Sequence, residues 1–425
     1  MDTPRRTILR GLAAAPFLAG VGGSLTPYTA HAATRPALKA ETWAPGSRRK
    51  LTYQHVIAQL TARADTARQP WGIGRASLDA ILAGPAQRTA VVEPLAWPAG
   101  NPPAKETPPL RTVFRWQDDD YKTPHWRPQG ITTNYDSLGG NPARTVVLVS
   151  WDAHPARAEK QGTRVSIVEV PASGPPRYWH VLLVEPVVIK EKKKEQPSYR
   201  PVKLHAGGLA WYRNRLYVAE YHKDAPNGLR VFDLNHLFTV TWGKGHEDDF
   251  GYVKGTYYAR QYAYVLPQIA RYKDRDGELR YSQVAVERAA DGSVDRDSLV
   301  VSAYHKSSGP EIARWELSPN GGLADLTSRE ALAISGTKAV QGAVSTHGTY
   351  HLSASAGPTK NGHIQTWRPG GPPKTLWQTP PGPEDLSYDR RGNVLWSLGE
   401  YAYGDQVGDD PKSVYFTRHV YAMRI

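Results

Sequence analysis

The sequence predicts an all-β fold in which one strand-rich unit is repeated along the chain. Turn-forming residues are abundant, with 38 Gly and 35 Pro among 425 residues, and 13 Trp and 23 Tyr stand beside only 6 Phe. Such a composition favours many strands with an amphipathic aromatic surface. Two 19-residue segments, 216–234 and 299–317, share six identical positions, including a Tyr-His-Lys triplet. Each segment reads as strand, turn and strand, so their similarity indicates a structural repeat.

Five units of this kind can be aligned along the chain. Each has a short polar or glycine-containing start, a β-rich second run and a third run, and a fourth run often follows. The fifth unit reaches Ile425 with only three runs, and Leu110–Trp116 could supply its fourth strand, joining the two ends of the chain. The starts and second runs are 129–131 with 145–154, 205–209 with 216–222, 282–284 with 299–305, 341–343 with 350–356, and 384–386 with 394–401.

Four-stranded antiparallel units at this spacing resemble β-propellers as a class, over about residues 110–425. The resemblance implies a five-bladed β-propeller with a short N-terminal helical extension. A long excursion in the second unit, residues 235–275, could hide a sixth blade. A two-domain β-sandwich is the alternative architecture.

The segment before the repeats divides into two parts. Residues 4–10 contain the pair Arg5-Arg6 and precede a weakly apolar run, and Ala30-His31-Ala32 offers small residues for cleavage. This pattern resembles a twin-arginine export signal over residues 1–32 and implies a secreted, extracellular protein without a transmembrane anchor. Residues 33–109 then form a leader and helical extension. It starts with a loose segment, and its two helices are indicated by apolar residues at helical spacing from Tyr53 and by Ser77 ahead of Leu78.

Charge and cysteine content narrow the set of partners. The chain has no cysteine and a net charge of +13, which falls to about +11 when residues 1–32 are removed. A positive balance favours anionic partners, so we expect an extracellular polysaccharide or cell-wall polymer. Nucleic-acid binding has no motif beyond charge. The protein is expected to be a monomer.

Antiparallel geometry predicts where a site would form. If the first strand of each unit lines a central channel, its start and the end of the second strand lie on one face, so both sets of residues surround one mouth. We predict catalytic roles for His205, His222, His305, Tyr221, Tyr304, Glu384 and Asp385, and substrate-binding roles for Gln129, Asp152, Gln341, Glu400 and Tyr401, with Gln283 also at a strand start.

Several chemistries fit these residue types. Histidine with tyrosine could carry out β-elimination on a uronic acid polymer, as a polysaccharide lyase does. Two carboxyl groups, one from Glu384 or Asp385 and one from Asp152 or Glu400, could serve a glycoside hydrolase. A non-enzymatic glycan-binding or cell-surface-binding propeller, and a metal-dependent phosphoester or lactone hydrolase, are the alternatives. Whether the protein is an enzyme stays open at this point.

Weaker patterns concern ions and loops. Three histidines with Gln341 could hold a divalent cation, although no HExxH motif is present. Residues 274–278 resemble half a calcium loop but read more simply as a turn. Residues 118–120 read as a solvated loop, and the charged run 190–195 reads as either a solvated loop or a mobile basic flap near the mouth. The absence of a GxSxG or phosphate-binding glycine motif disfavours α/β-hydrolase and P-loop chemistry.

Overall fold

A computed structural model describes residues 35–95, 106–137, 144–153, 162–221, 227–277, 279–292, 294–305, 311–401 and 418–425. The fold is mostly β, with 53% strand and 9% helix, as the sequence predicts. The proposed export signal and His222 lie outside the described residues. Among the described residues, no helix has the length and apolar character needed to cross a bilayer.

The N-terminal extension contains the two helices that the sequence predicts. Thr52 and Ser77 cap them, each accepting a hydrogen bond from the backbone N–H three residues later. The expectation of a loose segment at its start is wrong, because Leu38 is buried and its strand pairs with the edge of the second unit. The elements are β1 (Leu38–Glu41), α1 (Tyr53–Ala64), β2 (Ile73–Arg75), α2 (Leu78–Ala83), β3 (Arg88–Thr89), β4 (Val91–Val92), β5 (Leu110–Arg115) and α3 (Asp118–Tyr121).

The repeats form antiparallel groups of strands, which we call units and number in chain order; units 1 and 2 belong to one 13-stranded sheet, units 3 and 4 are four-stranded sheets, and unit 5 is part of a five-stranded sheet. Unit 1 is β6 (Trp126–Thr133), β7 (Thr145–Ala153), β8 (Thr163–Val170) and β9 (Arg177–Glu191), and β10 (Lys194–Pro201) extends it. Unit 2 is β11 (Leu209–Tyr212), β12 (Arg215–Glu220), β13 (Gly228–Asp233) and β17 (Tyr264–Asp274). Between β13 and β17 the chain forms β14 (Phe238–Val240), β15 (Phe250–Val253) and β16 (Thr256–Ala259). Unit 3 is β18 (Tyr281–Glu287), β19 (Ser298–Ala303), β20 (Glu311–Glu316) and β21 (Glu330–Ala333). Unit 4 is β22 (Val340–Thr346), β23 (Thr349–Ala354), β24 (Gly362–Trp367) and β25 (Lys374–Thr379). Unit 5 is β26 (Pro383–Asp389), β27 (Val394–Gly399), β28 (His419–Arg424) and β5.

The two ends of the chain meet in unit 5. Strand β5 pairs antiparallel with β28, with His419 opposite Arg115 and Tyr421 opposite Val113. The prediction that Leu110–Trp116 completes the last unit is therefore confirmed. Because this closure joins residues about 300 positions apart, it ties the chain ends into one ladder of hydrogen bonds.

The first strands of the five units contact one another in cyclic order: β6 with β11, β11 with β18, β18 with β22, β22 with β26, and β26 with β6. They approach so closely that side chains do not fit between them at some points. A Cβ atom at Gly208 would lie 2.5 Å from Cα of Gln283, and one at Gly342 would lie 3.0 Å from Cα of Asp385. Glycine at the strand starts is thus a consequence of backbone contact around a narrow axis.

The excursion in unit 2 does not add another four-stranded unit. Within the fully described stretch 235–263, β14 pairs with β2, and β15 pairs with β16 as a hairpin. The fourth strand of unit 2 is β17, which follows the excursion and pairs in parallel with β9 of unit 1. The excursion packs with α1 into an apolar cluster of its own, which includes Val56, Leu60 and Phe238.

Apolar side chains fill the spaces between neighbouring units. One cluster lies between units 2 and 3 and contains Tyr217 and Trp315, and another lies between units 5 and 1 and contains Trp151 and Trp396. Burying aromatic residues of this size supplies a large part of the favourable free energy of folding. Since the chain has no disulfide, these inter-unit cores hold the ring together.

Candidate functional site

Polar side chains from the strand starts and from the second-strand ends come together at one end of the axis. We call this group the axial cluster: Gln129, Asp152, His205, Tyr304, Gln341, Glu384, Asp385, Glu400 and Tyr401.

Glu384 and Asp385 are adjacent at the start of β26, but their side chains lie in different environments. Asp385 is fully buried, and its side chain accepts hydrogen bonds from the backbone N–H groups of Ile131 (2.9 Å), Leu209 (3.1 Å) and Leu386 (2.8 Å). These donors belong to units 1, 2 and 5, so Asp385 fastens three first strands together. Burial raises the pKa of Asp385, and the three N–H groups oppose that rise.

Glu384 is 2% exposed and faces other acids. Its carboxyl oxygen accepts a hydrogen bond of 2.9 Å from Nε2 of Gln341. Burial and the nearby carboxylates of Glu400 and Asp152 hold the pKa of Glu384 well above its usual value. This environment therefore favours the carboxylic acid form of Glu384 over the carboxylate.

His205 and Asp152 form a pair on the more exposed side of the cluster. Nδ1 of His205 lies 3.0 Å from Oδ2 of Asp152, and the His205 side chain is 39% exposed. Burial by itself would lower the pKa of His205, but the hydrogen bond and charge of Asp152 outweigh it and raise that pKa. Asp152 thus fixes the orientation of the imidazole and favours its protonated form.

Glu400 interacts with Gln129, Tyr401 and Tyr304, three further members of the cluster. Its Oε2 atom accepts a hydrogen bond of 3.2 Å from Nε2 of Gln129. Burial and the charge of Glu400 raise the pKa of Tyr401, while burial and the charges of Glu384 and Glu400 raise that of Tyr304. Both phenols are therefore protonated donors at neutral pH.

The remaining predicted site residues have other surroundings. The imidazole of His305 is acted on by Glu311 and Arg280, and burial lowers its pKa. Tyr221 is half-buried just beyond the end of β12. Gln283 is fully buried, where it donates to the carbonyl of Ala343 (3.0 Å) and accepts from Ser302 (3.1 Å), and it also hydrogen-bonds to Asp385 of the axial cluster. The structure therefore favours His205 over His305 as the histidine of the cluster.

The axial cluster is acidic. Four carboxyl groups, those of Asp152, Glu384, Asp385 and Glu400, share it with the His205 imidazole. Arg127, opposite Asp152 in the β6–β7 ladder, is the cation that acts on both His205 and Tyr401. Across the described ranges, no three His, Asp or Glu side chains converge in a metal-ligand arrangement.

The structure corrects the reading of residues 118–120 as a solvated loop. They open the short helix α3, and Asp120 is only 2% exposed. Its carboxylate contacts Arg164 (2.7 Å), Arg88 (3.2 Å) and His180 (3.0 Å). The two guanidinium groups and the imidazole outweigh the effect of burial and hold the pKa of Asp120 far below its usual range. Sequence reasoning missed this group because its members come from four separate elements.

Two other sequence patterns have plain structural roles. Lys192 and Lys193 occupy the two-residue turn between β9 and β10 with φ of 46° and 67°, so the charged run is the tip of a hairpin. Asp274 accepts hydrogen bonds from the N–H groups of Asp276 (3.1 Å) and Leu279 (3.0 Å), as a turn requires. Glu278, the last residue of the calcium-like pattern, lies outside the described residues.

Comparison with known proteins yields only distant likenesses. No family model and no curated protein matches the chain. Among solved structures, the chain is similar to the GH43_1 enzyme from Xanthomonas citri complexed with xylotriose (12% identity, 71% of this chain and 88% of that chain, TM-score 0.33). It is also similar to a gluconolactonase from Xanthomonas campestris (11%, 80% and 99%, 0.35) and to PhoX from Pseudomonas fluorescens in complex with vanadate (9%, 70% and 88%, 0.35). At this level of similarity, what those proteins bind or catalyse is not transferred to the present chain.

Proposed function

We propose that the protein is a glycoside hydrolase built on a five-bladed β-propeller and that it acts on a neutral glycan at the axial cluster. Support for the architecture comes from the cyclic contact of the five first strands and from the pairing of β5 with β28. Support for the chemistry comes from the acid–base properties of the cluster.

The sign of the charge at the axial cluster is the observation that carries the proposal. Glycoside hydrolysis passes through a transition state with positive charge on the sugar ring, and surrounding carboxylates stabilise such a charge. Elimination from a uronate and hydrolysis of a phosphoester instead develop negative charge in the transition state, and both reactions act on an anionic substrate. The carboxylates of Asp152 and Glu400 would disfavour both.

The two carboxyl roles follow from the environments of the two glutamates. Glu384, kept protonated by burial and by neighbouring carboxylates, is the general acid that protonates the leaving-group oxygen. Glu400, half-exposed and held by Gln129, is the second carboxyl group, acting on the opposite side of the scissile bond. His205, oriented by Asp152, donates a hydrogen bond to a substrate hydroxyl.

Asp385 has a different role in this proposal. Three backbone N–H groups of the first strands and the side chain of Gln283 hydrogen-bond to Asp385, so it stabilises the ring around the axis and not the substrate. Export by a twin-arginine signal, action on an extracellular polymer, a monomeric state and a requirement for a divalent cation stay predictions from the sequence.

The test is a substrate panel with product identification. The purified protein is incubated with neutral and uronate-containing polysaccharides, with and without chelator, and both new reducing ends and unsaturated sugars are measured. We expect reducing ends from a neutral glycan only. Glu384→Gln is expected to lower kcat by about 10²-fold or more, because it removes the transferable proton.

Controls separate loss of chemistry from loss of fold. Glu330→Gln removes a carboxylate on the outer strand of unit 3, with a side chain 38% exposed, and is expected to leave the rate unchanged. Glu400→Gln gives a second variant in the cluster. Unsaturated product from a uronate polymer, or retention on a neutral glycan without turnover, would overturn the proposal.

A further inference from the structure

A second concave site lies beside unit 1, and none of the axial-cluster residues lines it. It encloses about 590 Å³ between the first, third and fourth strands of unit 1, β3 and the excursion of unit 2. We call it the rim pocket and define it by Arg88, Trp126, Arg164, Trp242, Arg260 and Tyr262. A volume of this size suits one or two sugar rings.

The floor of the rim pocket is rigid and cationic. Arg164 and Arg88 share the single buried carboxylate of Asp120, and Arg164 is also sandwiched between Trp126 and Trp151, with its guanidinium 4.4 and 4.7 Å from their ring centroids. His180 contributes no positive charge at neutral pH, because burial and Arg164 lower its pKa to about 4. The floor thus holds two guanidinium groups against one carboxylate.

Two of the arginines that line the pocket have buried donor atoms without a partner. Nε of Arg164, a residue only 4% exposed, and Nη1 of Arg260 make no hydrogen bond to any described residue. A buried donor of this kind costs free energy unless a ligand satisfies it. The carboxylate of Glu247, which also lines the pocket, and that of Asp248 belong to exposed residues, where water screens their charge.

Aromatic surface completes the pocket. Trp242 is 61% exposed, although it lines a concave site, and Tyr262 packs edge-on against Trp126 with 6.5 Å between ring centroids. Exposed aromatic area beside a few convergent polar groups is typical of ligand sites. A sugar ring presents C–H groups to such a face, while a carboxylate matches the planar donors of a guanidinium.

We infer that the rim pocket binds a glycosyl residue carrying a carboxylate, such as a uronic acid unit, separately from the chemistry at the axial cluster. The carboxylate accepts hydrogen bonds from Arg164 and Arg260, and the sugar ring stacks on Trp242. The site needs no turnover, so it stands or falls independently of the proposed hydrolase.

Calorimetric titration with a galacturonic acid trimer tests the inference directly. We expect binding that is weakened about tenfold or more by Arg260→Ala, since one charged partner of the carboxylate is lost. Trp242→Ala removes an exposed side chain without affecting the core and is expected to weaken binding as well. Arg260→Lys keeps the charge but not the planar fork, and should fall between wild type and Arg260→Ala.

Matched controls come from elsewhere on the surface. Trp43 is 60% exposed, like Trp242, and the side chain of Arg296 is 66% exposed on unit 3. Trp43→Ala and Arg296→Ala should bind like wild type. The inference is overturned if a neutral galactose trimer binds as tightly, if acetate alone competes as well as the trimer, or if neither Arg260→Ala nor Trp242→Ala weakens binding.

Discussion

Glu384 in the axial cluster and Asp120 beneath the rim pocket are both buried carboxyl groups, each 2% exposed, but they differ in the charge of their neighbours. Acids and an amide surround Glu384, so its pKa is raised; two arginines and a neutral imidazole surround Asp120, so its pKa is held far below the usual range. Burial alone would push both pKa values upward. Charged partners therefore decide whether a buried carboxyl group in this fold acts as a proton donor or as a fixed anion.

The largest expected effect comes from neutralising the two carboxyl groups in turn. Asp120→Asn leaves Arg88 and Arg164 without their shared anion and should lower the free energy of unfolding by about 3–5 kcal/mol. Glu384→Gln removes a carboxyl group whose burial disfavours the charged form, so by linkage the free energy of unfolding at pH 7 should stay unchanged or rise. Urea unfolding followed by tryptophan fluorescence measures both. Equal losses in the two variants would mean that Glu384 is ionised, which contradicts its role as the general acid.

The pH dependence of stability should also distinguish buried groups with different charged neighbours. The pKa of His180, beneath the rim pocket, is lowered from 6.5 to about 4, so its contribution to stability is present above pH 6.5 and is lost as pH falls toward 4. Asp136, which lies outside the axial cluster and pairs with Arg288 (3.4 Å), has its pKa raised by burial from 3.8 to about 8 despite that arginine. Its contribution is present below pH 3.8 and is lost as pH rises toward 8.

At about 1.4 kcal/mol per pKa unit, these contributions are on the order of 3 kcal/mol for His180 and about 6 kcal/mol for Asp136. Unfolding midpoints measured from pH 4 to pH 9 should show that His180→Gln flattens the acidic side of the profile and Asp136→Asn the alkaline side. A variant that flattens the opposite side would show that the charge environment has been assigned with the wrong sign.

A smaller effect is expected from Asp152, which acts through His205. Asp152→Asn keeps the shape of the side chain but removes the charge that raises the pKa of His205. We expect turnover to fall about tenfold to a hundredfold, the cost of weakening one charge-assisted hydrogen bond. The alkaline limb of the pH–rate profile should also move to lower pH, because the imidazolium loses its proton more readily. Loss of rate without that movement would indicate that His205 is not the group that titrates in the alkaline limb of the pH–rate profile.

The sequence predicts the axial cluster better than the rim pocket for a geometric reason. Strand starts and second-strand ends recur at regular spacing, so their shared face follows from antiparallel pairing alone, and Glu384, Glu400 and His205 do meet there. Asp120 and His180 are 60 residues apart and meet through the packing of α3 on unit 1, which no periodicity reveals. His305 shows that prediction of the axial cluster is also incomplete. Strand spacing gives the position of His305 in the chain but not the direction of its side chain.

Salt should produce the smallest effect and distinguish the two sites without any substitution. Binding of a carboxylate at the rim pocket rests on ionic contacts that mobile ions screen, and raising the salt concentration from about 0.05 to 0.5 M shortens the screening length severalfold. The dissociation constant of the galacturonic acid trimer should therefore rise a few-fold. The KM of a neutral glycan at the axial cluster should stay constant, because the ground state carries no charge to screen. If the KM rose in parallel with the dissociation constant, the two ligands would share one site, and the division between an acidic axis and a cationic rim would be wrong.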